Sequence, residues 1–313
     1  MNHIKNFKNL TKKDVGIAGG KGASLGEMTK AGIPVPPGFV ILASAFDRFL
    51  EETDLFQQVE IELKKINYKD VNSVDRSSAI IRDLIYDAKI PKDLEKEIMA
   101  DFKKLGANFV AVRSSATAED SSVASWAGEL ESYLNTTEKD ILANVKKCWS
   151  SLFTPRAIFY RHEKDMLKTH VSVAVVVQKM IDSEKSGICF SVHPVTEDRN
   201  QMIIEAGWGL GEAIVSGSIT PDSYVLNKKK MSIMDANISN QEKKLVKDLK
   251  KRIKWASVSK TEKGKQVLPQ KEIITLAKIC LRIEKHYKKP QDIEWAYEKN
   301  KFYIVQSRPI TTL

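Results

Sequence analysis

The sequence predicts an α+β fold, and three observations predict it. Apolar residues recur three or four apart through residues 44–105, as in Phe46, Phe49, Leu50, Leu55, Val59 and Leu63, which is the helical period. Much of the remainder consists of short β-rich runs, ending in DIEWAYEKNKFYIVQSRP at residues 292–309. The two patterns come in blocks, which fits helices beside mostly antiparallel hairpins better than a parallel doubly wound sheet. A chain of 313 residues can bury a large core and divide into two or three subdomains, with approximate segments 1–105, 106–200 and 201–313.

The elements follow in order. GASLGEMTKA (22–31) reads as a short helix opened by glycines and closed by Gly32. IPVPPGFVI is a proline-punctuated loop entering an extended segment. After the helical 44–105 region, FVAVRSSA reads as a strand ending at Arg113, and residues 114–128 as a small, polar, flexible loop. One helix is expected over 138–165. VSVAVVVQKM and SGICFSV have hairpin spacing, separated by IDSEK. QMIIEA is a strand running into the glycine turn GWGLGE and a short helix, SYVLN is a further strand, and 271–288 is an amphipathic helix.

Composition excludes some classes. A hydrophobic content of 42% and a charged content of 29% are ordinary for a globular protein. MNHIKNFKNLTKKD has no apolar run long enough for a signal peptide, and VSVAVVV is too short to span a bilayer. The expectation is a cytoplasmic protein with no membrane partner. Three widely spaced cysteines without CxxC argue against a disulfide framework or structural zinc. The net charge of +10 is local: residues 227–289 hold 19 Lys plus Arg against 6 Asp plus Glu, so the rest of the chain is net −3. This basic segment has few aromatics and no nucleic-acid motif, so 228–265 reads as a solvated lysine-rich excursion and nucleic acid is not an expected partner.

Five stretches could carry chemistry. GGKGASLGEM (19–28) frees backbone N–H groups at a helix start beside Lys21, which suits phosphate, but it is not a Walker A motif because Gly22 follows the lysine. A glycine-rich turn with an exposed lysine is the structural alternative. In VRSSATAEDSSVASWAGELESYLN (112–135) a strand delivers Arg113 to a loop able to close over phosphates; the alternative is a plain surface loop. VVVQKMI (175–181) could offer Gln178 and strand edge to a flat base, or be core reaching the surface. IEAGWGLGEAIVSG lets backbone approach a ligand but lacks Rossmann spacing, since Glu212 occupies the last glycine's place. In the terminal hairpin, a Lys299-Asn300-Lys301 turn centred on Asn300 sets Glu294 opposite Gln306 and Asp292 opposite Arg308. Those four then share one face, and Ile293, Trp295, Tyr303 and Val305 share the other. The polar face is either a solvated face with one ion pair or an oxygen-ligand metal site beside an anion-binding arginine.

Taken together, GGKGASLGEM, VRSSATAED, SLFTPRAIFYR, GICFSVHPVT, EAGWGLGEAIVSGSITPDSY, DIEWA and IVQSRPIT resemble the ATP-binding domain of phosphoenolpyruvate synthase and pyruvate phosphate dikinase, a domain shared with rifampicin phosphotransferases. The resemblance runs in order over essentially the whole chain, 1–313. It implies an ATP-grasp-like fold with ATP and Mg2+ bound between subdomains. It implies Lys21 and Arg113 as catalytic phosphate ligands, Gly128 and Ser132 as contacts of a closing loop, and Gln178 on the adenine side. Glu294 and Gln306 would be metal and nucleotide ligands, and Arg308 a further phosphate ligand. The stretch Gly128-Glu129-Leu130-Glu131-Ser132 departs from the family by its extra carboxylates. None of His3, His162, His170, His193 or His286 lies in the family's phosphocarrier context. The resemblance therefore implies phosphate transfer from ATP to a histidine on a separate domain or chain, with pyruvate reached only indirectly. In the water-dikinase branch the products are AMP and inorganic phosphate. An antibiotic-phosphotransferase branch and a non-catalytic nucleotide-sensing module are the alternatives.

Overall fold

The computed structural model describes residues 2–117, 131–166, 169, 171–248 and 252–310. The chain divides into two units, one of Met1–Glu27 and Pro37–Met180 and one of Met28–Pro36 and Ile181–Leu313. Both mix helices with antiparallel sheet.

The first unit contains β1 (Ile4–Asn6), most of α1 (Val15–Lys30), β2 (Gly38–Ile41), α2 (Ala43–Glu52), α3 (Leu55–Lys64), α4 (Val71–Asp87) and α5 (Lys92–Leu105). It continues with β3 (Val110–Ala116), β4 (Ser132–Thr136), α6 (Ile141–Ser150), α7 (Pro155–Glu163) and β5 (Val173–Lys179). Its five strands are ordered β1-β2-β5-β3-β4, so the sheet joins strands from both the 1–105 and the 106–200 segments. One sheet face, carrying Phe39, Ile41, Val110, Val112, Val173, Val175 and Val177, packs into the main apolar core with the helices that follow β2. There Trp149 stacks on Phe49 and Phe46, with ring centroids 5.0 and 5.6 Å apart. The opposite face meets α1, where a Cβ added at Gly22 would lie 3.0 Å from Val40.

Three expectations change here. The strand at FVAVRSSA runs past Arg113 to Ala116, because Ser114 and Ser115 pair with Val175 and Ala174 of β5. The helix expected over 138–165 is two helices, separated by a 3-10 turn at Ser151–Phe153. Pro155 lacks an N–H and disfavours helix in the residue before it, so it starts a new helix, capped by Thr154, which accepts from Ala157 N at 3.1 Å. The hairpin expected from VSVAVVVQKM and SGICFSV does not form. β5 pairs with β2 and β3, whereas β6 (Lys185–Phe190) lies in the other sheet.

The second unit continues with β7 (Gln201–Trp208), α8 (Glu212–Val215), β8 (Asp222–Asn227), β9 (Ser232–Asn237), β10 (Lys243–Asp248), β11 (Arg252–Ser257), α9 (Gln270–Tyr287), β12 (Gln291–Glu298) and β13 (Lys301–Pro309). Its six-stranded sheet is ordered β13-β12-β6-β7-β8-β9, and β10 and β11 form a separate ribbon. The basic segment is therefore strand rather than loop over much of its length. Several of its lysines are paired, as in Lys244–Glu262 at 3.0 Å and Lys263–Glu242 at 2.7 Å. The buried Asp222 carboxylate ties the segment down. It accepts from Ser239 N, Gln241 Nε2, Tyr224 Oη and Val267 N within 3.2 Å. Among the described residues no helix is long and apolar enough to cross a membrane.

Candidate functional site

In the first unit the glycine motif is a break in α1. Gly19 has φ +67 and ψ 172, so the helix restarts after it and the N–H groups of the next turn, around Lys21, begin a new helix end. The break is locked onto β3. Gly22 N–H donates to Ser115 Oγ at 3.3 Å, and Ser115 Oγ–H donates to the Ala18 carbonyl at 3.1 Å. Glycine is required at 19, because a Cβ there would sit 2.2 Å from Ser115 Oγ and 2.4 Å from the Ser115 carbonyl oxygen.

The same sheet face gathers three further candidates. Arg113 is the cross-strand neighbour of Ser132 on one side and of Val176 on the other, and Gln178, two residues on from Val176, shares that face. Arg113 is half-buried and Ser132 is exposed. Gln178 is buried, and its amide Nε2 has no hydrogen-bond partner among the described residues. An orphaned buried donor beside an arginine and a glycine loop fits a ligand with polar edges. Burial pushes the Cys148 thiol well up, Glu131 adds to the shift, and Lys21 and Arg113 both oppose it. Gly128 lies outside the described residues.

Sequence reasoning missed how Glu131 is handled. A carboxylate there should repel phosphate, but Arg82 Nη2 meets Glu131 Oε1 at 3.0 Å and the Tyr133 hydroxyl donates to Glu131 Oε2. The charge is answered locally, and the phenol is pushed well above its ordinary range by burial and by Glu131. Arg82 is 49 residues away on α4, so no local pattern could have shown the pair.

In the second unit the terminal hairpin has the expected pairing at its open end. Glu294 pairs with Gln306 and Asp292 with Arg308. The turn differs: Lys299 and Asn300, both with positive φ (49 and 62), form a two-residue turn closed by the pair Glu298 and Lys301. A bulge between Glu294/Trp295 then shifts the register by one. Consequently Phe302 and Ile304, not Tyr303 and Val305, join Ile293 and Trp295 on the buried face.

The polar face is the one left half-open. Gln306 is buried and Glu294 is half-buried. Arg308 donates from both Nε and Nη2 to Asp292 Oδ2, at 2.9 and 2.7 Å. Glu205 was not anticipated. It stands opposite Ile188, which stands opposite Glu294, so Glu205, Ile188, Glu294 and Gln306 form one row across three strand pairs. Burial, and then the Asp292 charge, hold the Glu205 carboxyl above its usual range. The signal was present in QMIIEAGW, where Glu205 is the one acid in an apolar strand. Among the described residues, no group of three or more His, Cys, Asp or Glu could hold a metal alone. A cation here would need Glu294, the Gln306 amide oxygen and ligand oxygens, a donor set that suits Mg2+. In the glycine turn after β7, backbone approaches backbone at Gly209. Gly209 has φ +81, and a Cβ there would lie 2.3 Å from the Leu245 carbonyl oxygen.

The model of the pyruvate phosphate dikinase AMP/ATP-binding domain matches residues 15–313. A probable phosphoenolpyruvate synthase of Methanocaldococcus jannaschii is 49% identical over 100% of this chain and 27% of its own length. A phosphoenolpyruvate synthase of Pyrococcus furiosus is 41% identical over 99% of this chain and 44% of its own. A rifampicin phosphotransferase of Bacillus subtilis is 37% identical over 97% of this chain and 35% of its own. The chain thus spans less than half the length of these curated relatives.

Proposed function

The chain belongs to the pyruvate phosphate dikinase AMP/ATP-binding domain family, and from that premise we propose that it is the ATP- and Mg2+-dependent phosphotransfer component of a phosphoenolpyruvate synthase-like system. The fold is read as ATP-grasp-like. Lys21 and Arg113 hold phosphate oxygens, Gln178 meets the adenine side, and Gly128 and Ser132 belong to the segment that closes over the nucleotide. Glu294 and Gln306 hold Mg2+ together with phosphate oxygens, and Arg308, oriented by Asp292, is a further phosphate ligand. The observation that carries this reading is that the glycine break beside Lys21 is docked through Ser115 on the β3 face that also holds Arg113 and the orphaned Gln178 amide.

Phosphoryl transfer asks a protein chiefly for positioning and for positive charge where negative charge develops. Lys21 supplies a point charge at a helix start, and Arg113 a planar fork held by the central sheet. When bound, Mg2+ would neutralise phosphate charge. The acceptor is a phosphocarrier histidine on a separate domain or chain, and pyruvate receives the phosphate only afterwards. The relative named as a rifampicin phosphotransferase supports a second reading with an antibiotic as final acceptor.

Two experiments test this. Glu294→Gln removes charge and keeps shape, so the Mg2+ concentration for half-maximal ATP binding should rise about tenfold, with metal-free ATP binding unchanged. An unshifted Mg2+ titration would remove Glu294 from the metal. Labelled ATP should leave the chain unlabelled alone. With a protein carrying the family's histidine domain, it should give an acid-labile phosphohistidine on that partner, lost in Lys21→Ala. Stable label on His3, His162, His170, His193 or His286 at a rate fit for turnover would return the carrier role to this chain.

A further inference from the structure

The first unit holds a cavity of about 510 Å³ that shares no lining residue with the proposed nucleotide site. Its volume is within the range of small-molecule pockets. Phe46 and Leu50 of α2, Val59 and Leu63 of α3, and Phe153 form apolar walls. Phe56, 46% exposed, stands at the mouth. Arg161, from the last turn of α7, lines the same cavity and is only 8% exposed.

The Arg161 guanidinium is under-satisfied. It has five N–H donors. Nη2 donates to the Thr169 carbonyl at 3.3 Å, while Nε is buried with no hydrogen-bond partner among the described residues. No carboxylate among the described residues forms an ion pair with it. Burial lowers its affinity for its proton, and the one charge effect on it comes from Tyr68. Tyr68 also lines the cavity, and burial holds its phenol protonated, so its hydroxyl can donate as well. Buried charge is normally paired, because desolvation is otherwise uncompensated.

The lining also limits the missing partner's charge. Asp47 and Glu60 line the cavity, with Lys64 3.5 Å from Glu60, so a doubly charged phosphate would meet two carboxylates. We propose that this cavity binds a small monocarboxylate with an apolar body. Its carboxylate rests on Arg161 and Tyr68, and its hydrocarbon lies against Phe46, Leu50, Val59 and Leu63. An arginine fork matches a carboxylate in geometry and charge, and the apolar walls select against free inorganic anions.

Calorimetry on the full 313-residue chain, with octanoate, octanol and inorganic phosphate as probes, tests this. Octanoate should bind saturably at one site, with octanol and phosphate at least about tenfold weaker, the loss of one charge-assisted contact or of the apolar one. Arg161→Gln should weaken octanoate at least about tenfold and leave octanol unchanged. Leu63→Trp keeps Arg161 and fills the cavity, so it should abolish octanoate binding while ATP binding persists as a control for folding. If Arg161→Gln does not fold, Leu63→Trp alone decides. Equal binding of octanol and octanoate, octanoate binding undiminished in Leu63→Trp, or no octanoate heat at millimolar concentration would each overturn the assignment.

Discussion

Alanine at Lys21 or at Arg113 is expected to weaken ATP binding on the order of 1–3 kcal/mol each, the cost of one charge-assisted contact to phosphate. Calorimetry at fixed Mg2+ and fixed salt reads this directly. Gly22, next to Lys21, is hydrogen-bonded to Ser115, two residues on from Arg113 in β3, so the two sites are close enough to couple, and the double variant should fall short of the sum. Neither side chain contributes to the apolar core, so thermal stability should change little. Unchanged ATP affinity in both single variants would remove this face of the sheet from the nucleotide site.

Gly19→Ala is expected to destabilise the chain on the order of 3 kcal/mol, lowering the melting temperature on the order of 10 °C. Two costs add there. The backbone is left-handed at φ +67, and a Cβ would lie 2.4 Å from the Ser115 carbonyl oxygen, which belongs to the central sheet and cannot yield. Gly217→Ala separates the two costs. It has the same φ of +67 and no atom within 4 Å of its Cβ position, so it should cost only about 1 kcal/mol of backbone strain. ATP binding should fall with Gly19→Ala and not with Gly217→Ala, because only the first carries the Lys21 turn. Equal melting temperatures for the two variants would show that the contact between the glycine loop and β3 is not tight.

Part of the geometry around the candidate residues was legible because its signals are local. The pairs Glu294–Gln306 and Asp292–Arg308 within 292–309 agree with a register centred on Asn300, although the turn itself is the two-residue Lys299-Asn300. The glycines around Lys21 were readable as a helix start for the same reason. The bulge was not readable. It leaves the open end of the hairpin in the expected register and moves only the turn half, exchanging Tyr303 and Val305 for Phe302 and Ile304 in the core. Alternating residue types tolerate either choice, and in the observed register Phe302 meets Trp295 edge-on with ring centroids 5.6 Å apart.

The sequence by itself determined the helix and strand blocks, the glycine break that brings Lys21 to a helix start, the position of Arg113 on a strand, and the family. Each depends on residues near one another in the chain, where periodicity, glycine and proline act directly on the backbone. Tertiary structure alone decided that β5 joins β2 and β3 rather than β6, that Arg82 and Tyr133 answer Glu131, that Glu205 stands in line with Glu294 and Gln306, and that Arg161 is buried without a carboxylate partner among the described residues. Strand partners and buried charges are chosen by which distant surfaces must leave water together. A strand's own residues make it a strand but carry no record of which neighbour will supply its hydrogen bonds.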